Sequence, residues 1–155
     1  MYQRILVPVD GSTTSMRGLD EAIRLAKLTG GQVRLLNLVE DPTMSAGYAS
    51  FGAYAGEVLP MLRSAGEEIL AKGRARAAEA GVAADSQLFE GLATRLADAV
   101  EQEARRWGAD LVVLGTHGRR GASRFFLGSD AEQVLRSAPV PVLLVRTPEA
   151  GTAAV

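Results

Sequence analysis

Cysteine is absent from this chain of 155 residues, and histidine occurs only once, as His117. Without thiols the protein can form no disulfide, no thiolate zinc site and no cysteine nucleophile. One histidine alone builds neither a metal site nor a catalytic triad. No apolar run approaches the roughly 20 residues that span a bilayer. The opening segment lacks the length and the small-residue cleavage site of a signal peptide, so we expect a soluble, cytoplasmic protein.

An excess of charge of one sign is also lacking, because 17 Lys and Arg residues are balanced by 18 Asp and Glu residues. The resulting net charge of -1 gives no bulk attraction for DNA, RNA or an anionic membrane. Hydrophobic residues make up 47% of the chain, which is enough for a sizeable core. The length suits one domain, which we place at residues 1–147, followed by a disordered tail at 148–155.

Strands and helices are predicted to alternate along the chain. Continuous branched apolar runs, typical of buried parallel strands, are each followed by a stretch with helical spacing. The predicted strands are 4–10, 32–39, 82–89, 110–115 and 140–146, and the predicted helices run from the caps at 11–15 to Gly30 and over 58–80, 92–107 and 129–136. This alternation indicates an α/β domain with a parallel sheet, right-handed crossovers and helices on both faces.

Two strand ends carry unusual residues, and in such sheets ligands bind beyond the carboxyl ends of the strands, where the strand order reverses. Asp10-Gly11-Ser12 follows the first predicted strand, and Gly115-Thr116-His117-Gly118 follows the fourth. These two turns are therefore the first candidates for a binding site.

The segment from Gly115 to Ser129 is rich in glycine, arginine and serine and leads from a buried strand into a helix. Phosphate groups bind to backbone N–H groups, and a side chain at Cβ obstructs that approach. Gly115, Gly118 and Gly128 leave the approach open. A helix beginning at Ser129 adds a hydroxyl, free N–H groups and the positive end of a helix dipole. The alternative is a glycine-rich turn that only connects two elements, but the coincidence of these features favours phosphate binding.

Three segments resemble the universal stress protein family, in its ATP-binding branch. They are the spacing Gly115-x-x-Gly118-x9-Gly128-Ser129, the opening run Ile5–Ser12 and the closing run Ala138–Arg146. The Walker lysine loop and the G-x-G-x-x-G pattern are both absent. The resemblance implies a Rossmann-like, adenine nucleotide α-hydrolase-like fold: a five-stranded parallel sheet in the order 3-2-1-4-5 with helices on both faces. It also implies a homodimer that pairs through the edge strand 140–146.

The resemblance further implies that ATP, or ADP or AMP, lies across the ends of the first and fourth strands. Adenine and ribose would contact the end of the first strand, the base would be flanked from the second strand, and the glycine-rich segment would hold ribose and phosphates. The expected nucleotide contacts are Pro8, Val9, Asp10, Leu38, Val39, Gly115, Thr116, His117, Gly118, Arg119, Gly128, Ser129 and Asp130.

The charged candidates have alternative roles. Asp10 can cap the turn, accept a ribose hydroxyl or share Mg²⁺ with the phosphates, and we favour the ribose contact. Arg119, Arg120 and Arg124 either screen phosphate charge or are solvated. Asp130 stands where the family often has a small or apolar residue. If its carboxylate points into the site, AMP, ADP or Mg²⁺-bound ATP fits better than bare ATP; if it points to solvent, nothing changes.

Three functions remain open at this stage. The first is a regulatory adenine-nucleotide-binding protein of the stress response with little or no turnover, since no positioned lysine, second carboxylate near Asp10 or general base accompanies the loop. The second is a slow Mg²⁺-dependent ATPase that uses Asp10. The third is an interaction module that no longer depends on nucleotide. The segment 41–56 is predicted to be a mobile loop that orders as a lid or partner surface when nucleotide binds.

Overall fold

The computed structural model describes residues 1–39, 56, 58–91, 94–117 and 128–147. Of the expected loop at 41–56, residues 41–55 lie outside the described residues, as does the expected tail at 148–155. The elements are β1 (Arg4–Pro8), α1 (Thr13–Thr29), β2 (Gln32–Val39), α2 (Leu59–Glu79), β3 (Ala84–Glu90), α3 (Leu96–Trp107), β4 (Leu111–His117), α4 (Ser129–Ser137) and β5 (Val142–Thr147).

The strands form one parallel sheet in the order β3-β2-β1-β4-β5, which confirms the predicted architecture. β1 pairs with β2 on one side and with β4 on the other. The strand order therefore reverses at β1, between β2 and β4. Of the helices described, none is long and apolar enough to cross a membrane.

Each face of the sheet has its own apolar core. On one face α1 and α2 cover β-strand residues such as Ile5 and Leu35. On the other face α3 and α4 cover residues such as Leu6 and Val112. Neighbouring residues of β1 therefore point into different cores, as the alternation of a strand requires.

The ends of α1 follow from local chemistry. The Ser15 N–H donates to Ser12 Oγ at 3.1 Å, so that Ser12 caps the helix as the turn sequence predicts. The helix ends at Gly30, whose φ of 70° lies in the left-handed region that favours glycine.

Several predicted boundaries were wrong. β1 ends at Pro8 rather than at residue 10, and β3 begins at Ala84 rather than at residue 82. β5 begins at Val142 instead of residue 140, because Pro141 has no N–H to donate to the sheet. α3 begins at Leu96 rather than at residue 92, since the preceding Arg95 has extended backbone angles.

A charged cluster lies between α3 and the strands β2 and β3. Its centre is Glu103, whose side chain is 0% exposed. Arg34 Nη1 lies 2.9 Å from Glu103 Oε1, and Arg106 Nε lies 2.8 Å from Glu103 Oε2. Arg34 also donates to Asp85 Oδ1 at 2.7 Å and stacks 4.7 Å from the ring centre of Trp107. The cluster connects both strands to the C-terminal end of α3.

Candidate functional site

The carboxyl ends of β1 and β4 open onto one cavity of about 540 Å³. The β1–α1 turn forms one wall, and the N-terminus of α4 forms another. The described residues that line the cavity are Asp10, Ser12, Thr14, Ser15, Leu96, Leu114, Gly115, Thr116, Gly128, Ser129, Asp130 and Ala131. This is the place where the strand order reverses, so the cavity lies where ligands bind in sheets of this class.

Hydrogen bonds fix the β1–α1 turn before any ligand arrives. Asp10 Oδ1 accepts from the Ser12 N–H at 2.9 Å. The Asp10 N–H donates to Ser15 Oγ at 3.2 Å, and that hydroxyl donates in turn to the Ser12 carbonyl at 3.1 Å. The turn therefore holds the Asp10 carboxylate at the cavity wall.

The Asp10 carboxyl is ionised well below neutral pH. Partial desolvation by itself raises its pKa, but hydrogen bonds from the side chains of Ser12 and Ser15 and from backbone N–H groups lower the pKa below its ordinary value. An ionised carboxylate only accepts hydrogen bonds. Asp10 can therefore bind a sugar hydroxyl or a cation, but it cannot donate a proton at pH 7.

Close packing of α1 on β4 determines the residue type at Gly115. A Cβ at Gly115 would overlap the carbonyl group of Thr14 and lie 3.0 Å from Ser15 N. A Cβ at Gly18 would lie only 2.7 Å from Gly115 N. Glycine at position 115 is thus needed for the approach of helix and strand, independently of any ligand.

Gly128 has a different environment. Its φ of -55° is accessible to any residue, and a Cβ built there meets no described atom within 4 Å. The helix begins at Ser129 as the sequence predicts, but the cap position is occupied by Gly128 and the Ser129 hydroxyl does not cap the helix. Among the described residues no side chain caps this end, and the first N–H groups of a helix have no partner within the helix itself. The cavity wall at Gly128 therefore presents backbone donors of α4 for which the described residues supply no side-chain partner.

The structure brings together six of the predicted site residues as lining of this cavity: Asp10, Gly115, Thr116, Gly128, Ser129 and Asp130. Pro8 and Val9 are buried at the end of β1 and do not appear among the described lining residues. His117 is the last residue of β4. Gly118, Arg119, Arg120 and Arg124 lie outside the described residues.

Leu38 and Val39 also stand apart from the described lining. Pro8, the last residue of β1, pairs with Leu36, so that β2 runs beyond β1 by three residues, the last two of which are Leu38 and Val39. These two residues lie at the carboxyl edge of the sheet, beside the β1–α1 turn. Val39 is buried, and Leu38 is half-buried against the core on the α3 face.

Sequence reasoning missed part of the support for the site. Asn37, buried near the end of β2, donates from Nδ2 to the Val9 carbonyl at 2.7 Å. This bond fixes the residue that precedes Asp10. The signal was available, because a single amide inside the apolar run 32–39 needs a buried partner.

A second correction concerns charge. The sequence predicted no second carboxylate near Asp10, but Asp130 lines the same cavity. Carboxylate oxygens suit Mg²⁺. The described part of the chain contains no group of three or more acidic or histidine side chains that could hold a metal ion by itself. A magnesium ion would therefore fit here only together with oxygens of a ligand, with Asp10 as the protein's nearest candidate donor.

Known proteins match both this fold and the sequence. A model of the universal stress protein family matches residues 1–146. Universal stress protein MJ0531 of Methanocaldococcus jannaschii is 34% identical over 149 residues, covering 96% of this chain and 85% of that protein.

Solved structures agree with these matches. A universal stress protein family member from Burkholderia pseudomallei is 31% identical with a TM-score of 0.71, over 93% of this chain and 96% of that one. A universal stress protein in complex with cAMP is 26% identical with a TM-score of 0.67, over 95% of this chain and 99% of that one. The strand order, the match over nearly the whole length and these relatives agree, and this chain belongs to the universal stress protein family.

Proposed function

We propose that the protein binds an adenine nucleotide in the cavity between β1 and β4 and serves as a regulatory protein in the stress response. One observation carries the proposal: the uncapped N-terminus of α4 and the ionised Asp10 face a single cavity at the reversal of strand order. Free N–H groups at a helix N-terminus bind phosphate, and a carboxylate accepts from ribose hydroxyls. The cAMP complex of a relative supports a nucleotide as the ligand.

In this proposal the ribose lies against Asp10 and Gly115. The phosphates meet Gly128 and Ser129 at the start of α4. The adenine lies toward the carboxyl ends of β1 and β2, near Pro8, Val9, Leu38 and Val39; Thr116, His117, Gly118 and Arg119 complete the proposed site. The fold is compatible with this pose because β2 extends past β1 on the required side.

Nucleotide content tests the proposal directly. The purified protein is denatured, the released small molecules are identified by liquid chromatography with mass detection, and the emptied protein is titrated calorimetrically with ATP, ADP and AMP. Binding of at least one of them with a Kd below roughly 1 mM, equivalent to about 4 kcal/mol, is expected. If none binds, the protein is an interaction module that works without nucleotide. That the protein acts on an unidentified partner protein, and that it is cytoplasmic, stay predictions.

A slow Mg²⁺-dependent ATPase is the second candidate, because Asp10 and Asp130 line the same cavity and could share a nucleotide-bound cation. We expect very slow hydrolysis, since no described lining residue can serve as a general base toward water at neutral pH other than these carboxylates. Steady-state phosphate release should stay far below the enzyme median of roughly 10 s⁻¹. A rate near that median, lost in Asp10→Asn, would make the ATPase the correct assignment.

We also propose a homodimer that pairs through β5, the edge strand of the sheet. Leu143 on this strand is 36% exposed, although it is apolar. Exposed apolar edges invite pairing with another strand. We expect Leu143→Lys to shift the protein from dimer to monomer in light scattering at micromolar concentration, because like charges would meet across the two-fold axis. Val145 is unsuitable as a test position because it packs against the core of α1.

Leu135→Lys provides the matched control. Leu135 is 40% exposed but lies on α4 rather than on β5. It should leave the oligomeric state unchanged. A wild-type protein that is already monomeric, or equal behaviour of the two variants, would rule out pairing through β5.

A further inference from the structure

We propose that Asp130 determines which nucleotides the site accepts, by repelling phosphate groups whose charge is not neutralised. The site would then take a nucleoside monophosphate or Mg²⁺-complexed ATP in preference to free ATP. This inference rests on the proposed nucleotide site and concerns its specificity.

Asp130 lies at the end of α4 where the phosphate groups of a nucleotide would bind. It is the second residue of α4 and lines the cavity together with Gly128 and Ser129. Asp130 therefore adds an acidic residue to the same part of the cavity wall as the backbone N–H groups that would bind phosphate. An acidic residue in the first turn stabilises a helix, but at this position it also opposes an anionic ligand at the same N–H groups.

The second step is that the described residues offer Asp130 no compensating cation. Within the described residues, no basic side chain pairs with Asp130, and none lines the cavity. Glu132, in the same first turn, differs because Arg136 Nη2 lies 2.8 Å from its Oε1. Asp130 thus lines the cavity without an ionic partner among the described residues, whereas Glu132 is paired with Arg136 and does not line the cavity.

Asp10 adds a second negative charge to the same cavity. Another groove of the described surface has more basic than acidic lining residues: Asp20 and Glu21 pair there with Arg76 and Arg24, and Arg17 and Arg146 also line it. The negative character is therefore a local property of this cavity. Each further phosphate of a nucleotide increases the repulsion, while bound Mg²⁺ removes two negative charges and offers the carboxylates a cation.

The test compares affinities of AMP and ATP in EDTA and in excess Mg²⁺, by calorimetric titration of three folded proteins. These are the wild type, Asp130→Asn and the control Glu132→Gln, which removes the same charge from the same helix turn outside the cavity. Arg119, Arg120 and Arg124 are present in all three, so their contribution cancels in the comparison. Circular dichroism verifies that the variants are folded.

In EDTA we expect Asp130→Asn to raise ATP affinity about three- to tenfold and to raise AMP affinity by a smaller factor, because AMP has one phosphate group and ATP has three. The gain in ATP affinity on adding Mg²⁺ should be larger in the wild type than in Asp130→Asn, and Glu132→Gln should behave as the wild type. An unchanged ATP-to-AMP affinity ratio in Asp130→Asn, or an equal change in Glu132→Gln, would overturn the inference while leaving the nucleotide site intact. Absence of binding by both nucleotides would instead refute the proposed function itself.

Discussion

Replacing Gly128 with valine is expected to weaken the binding of ATP and AMP by more than about tenfold, equivalent to about 1.4 kcal/mol, without unfolding the protein. The backbone of Gly128 has a φ of -55°, and a Cβ at this position meets no described atom within 4 Å. The fold therefore tolerates a side chain here. In the proposed complex, however, the branched side chain would occupy the approach of phosphate to the first N–H groups of α4.

The two glycines of the cavity differ as test positions. At Gly115 even alanine would overlap the Thr14 carbonyl, so that a loss of binding there would report on damage to the fold. At Gly128 the free energy of unfolding should fall by no more than about 1 kcal/mol, the range of an altered helix cap. Gly128→Ala, with a smaller side chain, should lose less affinity than Gly128→Val. Wild-type affinity in a folded Gly128→Val protein would contradict the assignment of phosphates to this end of α4.

The same residues show how much of the fold and of the cavity can be predicted from the sequence. Branched apolar runs predict the positions of the strands, because whether a strand is buried can be read from its own few residues. The order of the strands is not local, and it came from the resemblance of three segments to a known family. The meeting of Asp10 with Ser129 followed from the general rule that the ends of parallel strands share one edge of the sheet.

What could not be predicted depends on contacts between distant residues. Gly18 and Gly115 are required because α1 packs closely on β4, and this proximity has no signature in either segment. The sequence identifies Asp130 as unusual, but whether its carboxylate points into the cavity or to solvent depends on how α4 packs against the sheet. Glu103 looks like one more charged position of an amphipathic helix, yet its partner Arg34 lies 69 residues away in the sequence.

The second large effect is expected at Glu103. We expect Glu103→Gln to lower the free energy of unfolding by about 3 kcal/mol, the lower part of the range for breaking a buried ion pair. The Glu103 side chain is completely buried, and Arg34 Nη1 and Arg106 Nε lie 2.9 and 2.8 Å from its two oxygens. Glutamine keeps the shape of glutamate but removes the charge and one acceptor. Arg34, only 18% exposed, then loses one of its two anionic partners.

Two further contacts explain why the loss should not be larger. Arg34 keeps its hydrogen bonds to Asp85, and it remains stacked over Trp107. Arg106 is half exposed, so water can replace part of what it loses. Most of the expected loss in the free energy of unfolding therefore comes from Arg34, whose positive charge keeps only one of its two anionic partners.

Glu101→Gln is the matched control for this prediction. Glu101 lies two residues earlier in α3 and pairs with Arg105 at 3.1 Å, but its side chain is 37% exposed. An exposed pair of this kind contributes less than about 1 kcal/mol. Urea unfolding followed by the fluorescence of Trp107, the only tryptophan in the chain, measures both variants with a reporter inside the cluster. Equal losses in Glu103→Gln and Glu101→Gln would mean that burial adds nothing to the pair. A difference of about 2 kcal/mol or more would show that the buried cluster stabilises the packing of α3, whose Leu96 lines the cavity, against β2 and β3.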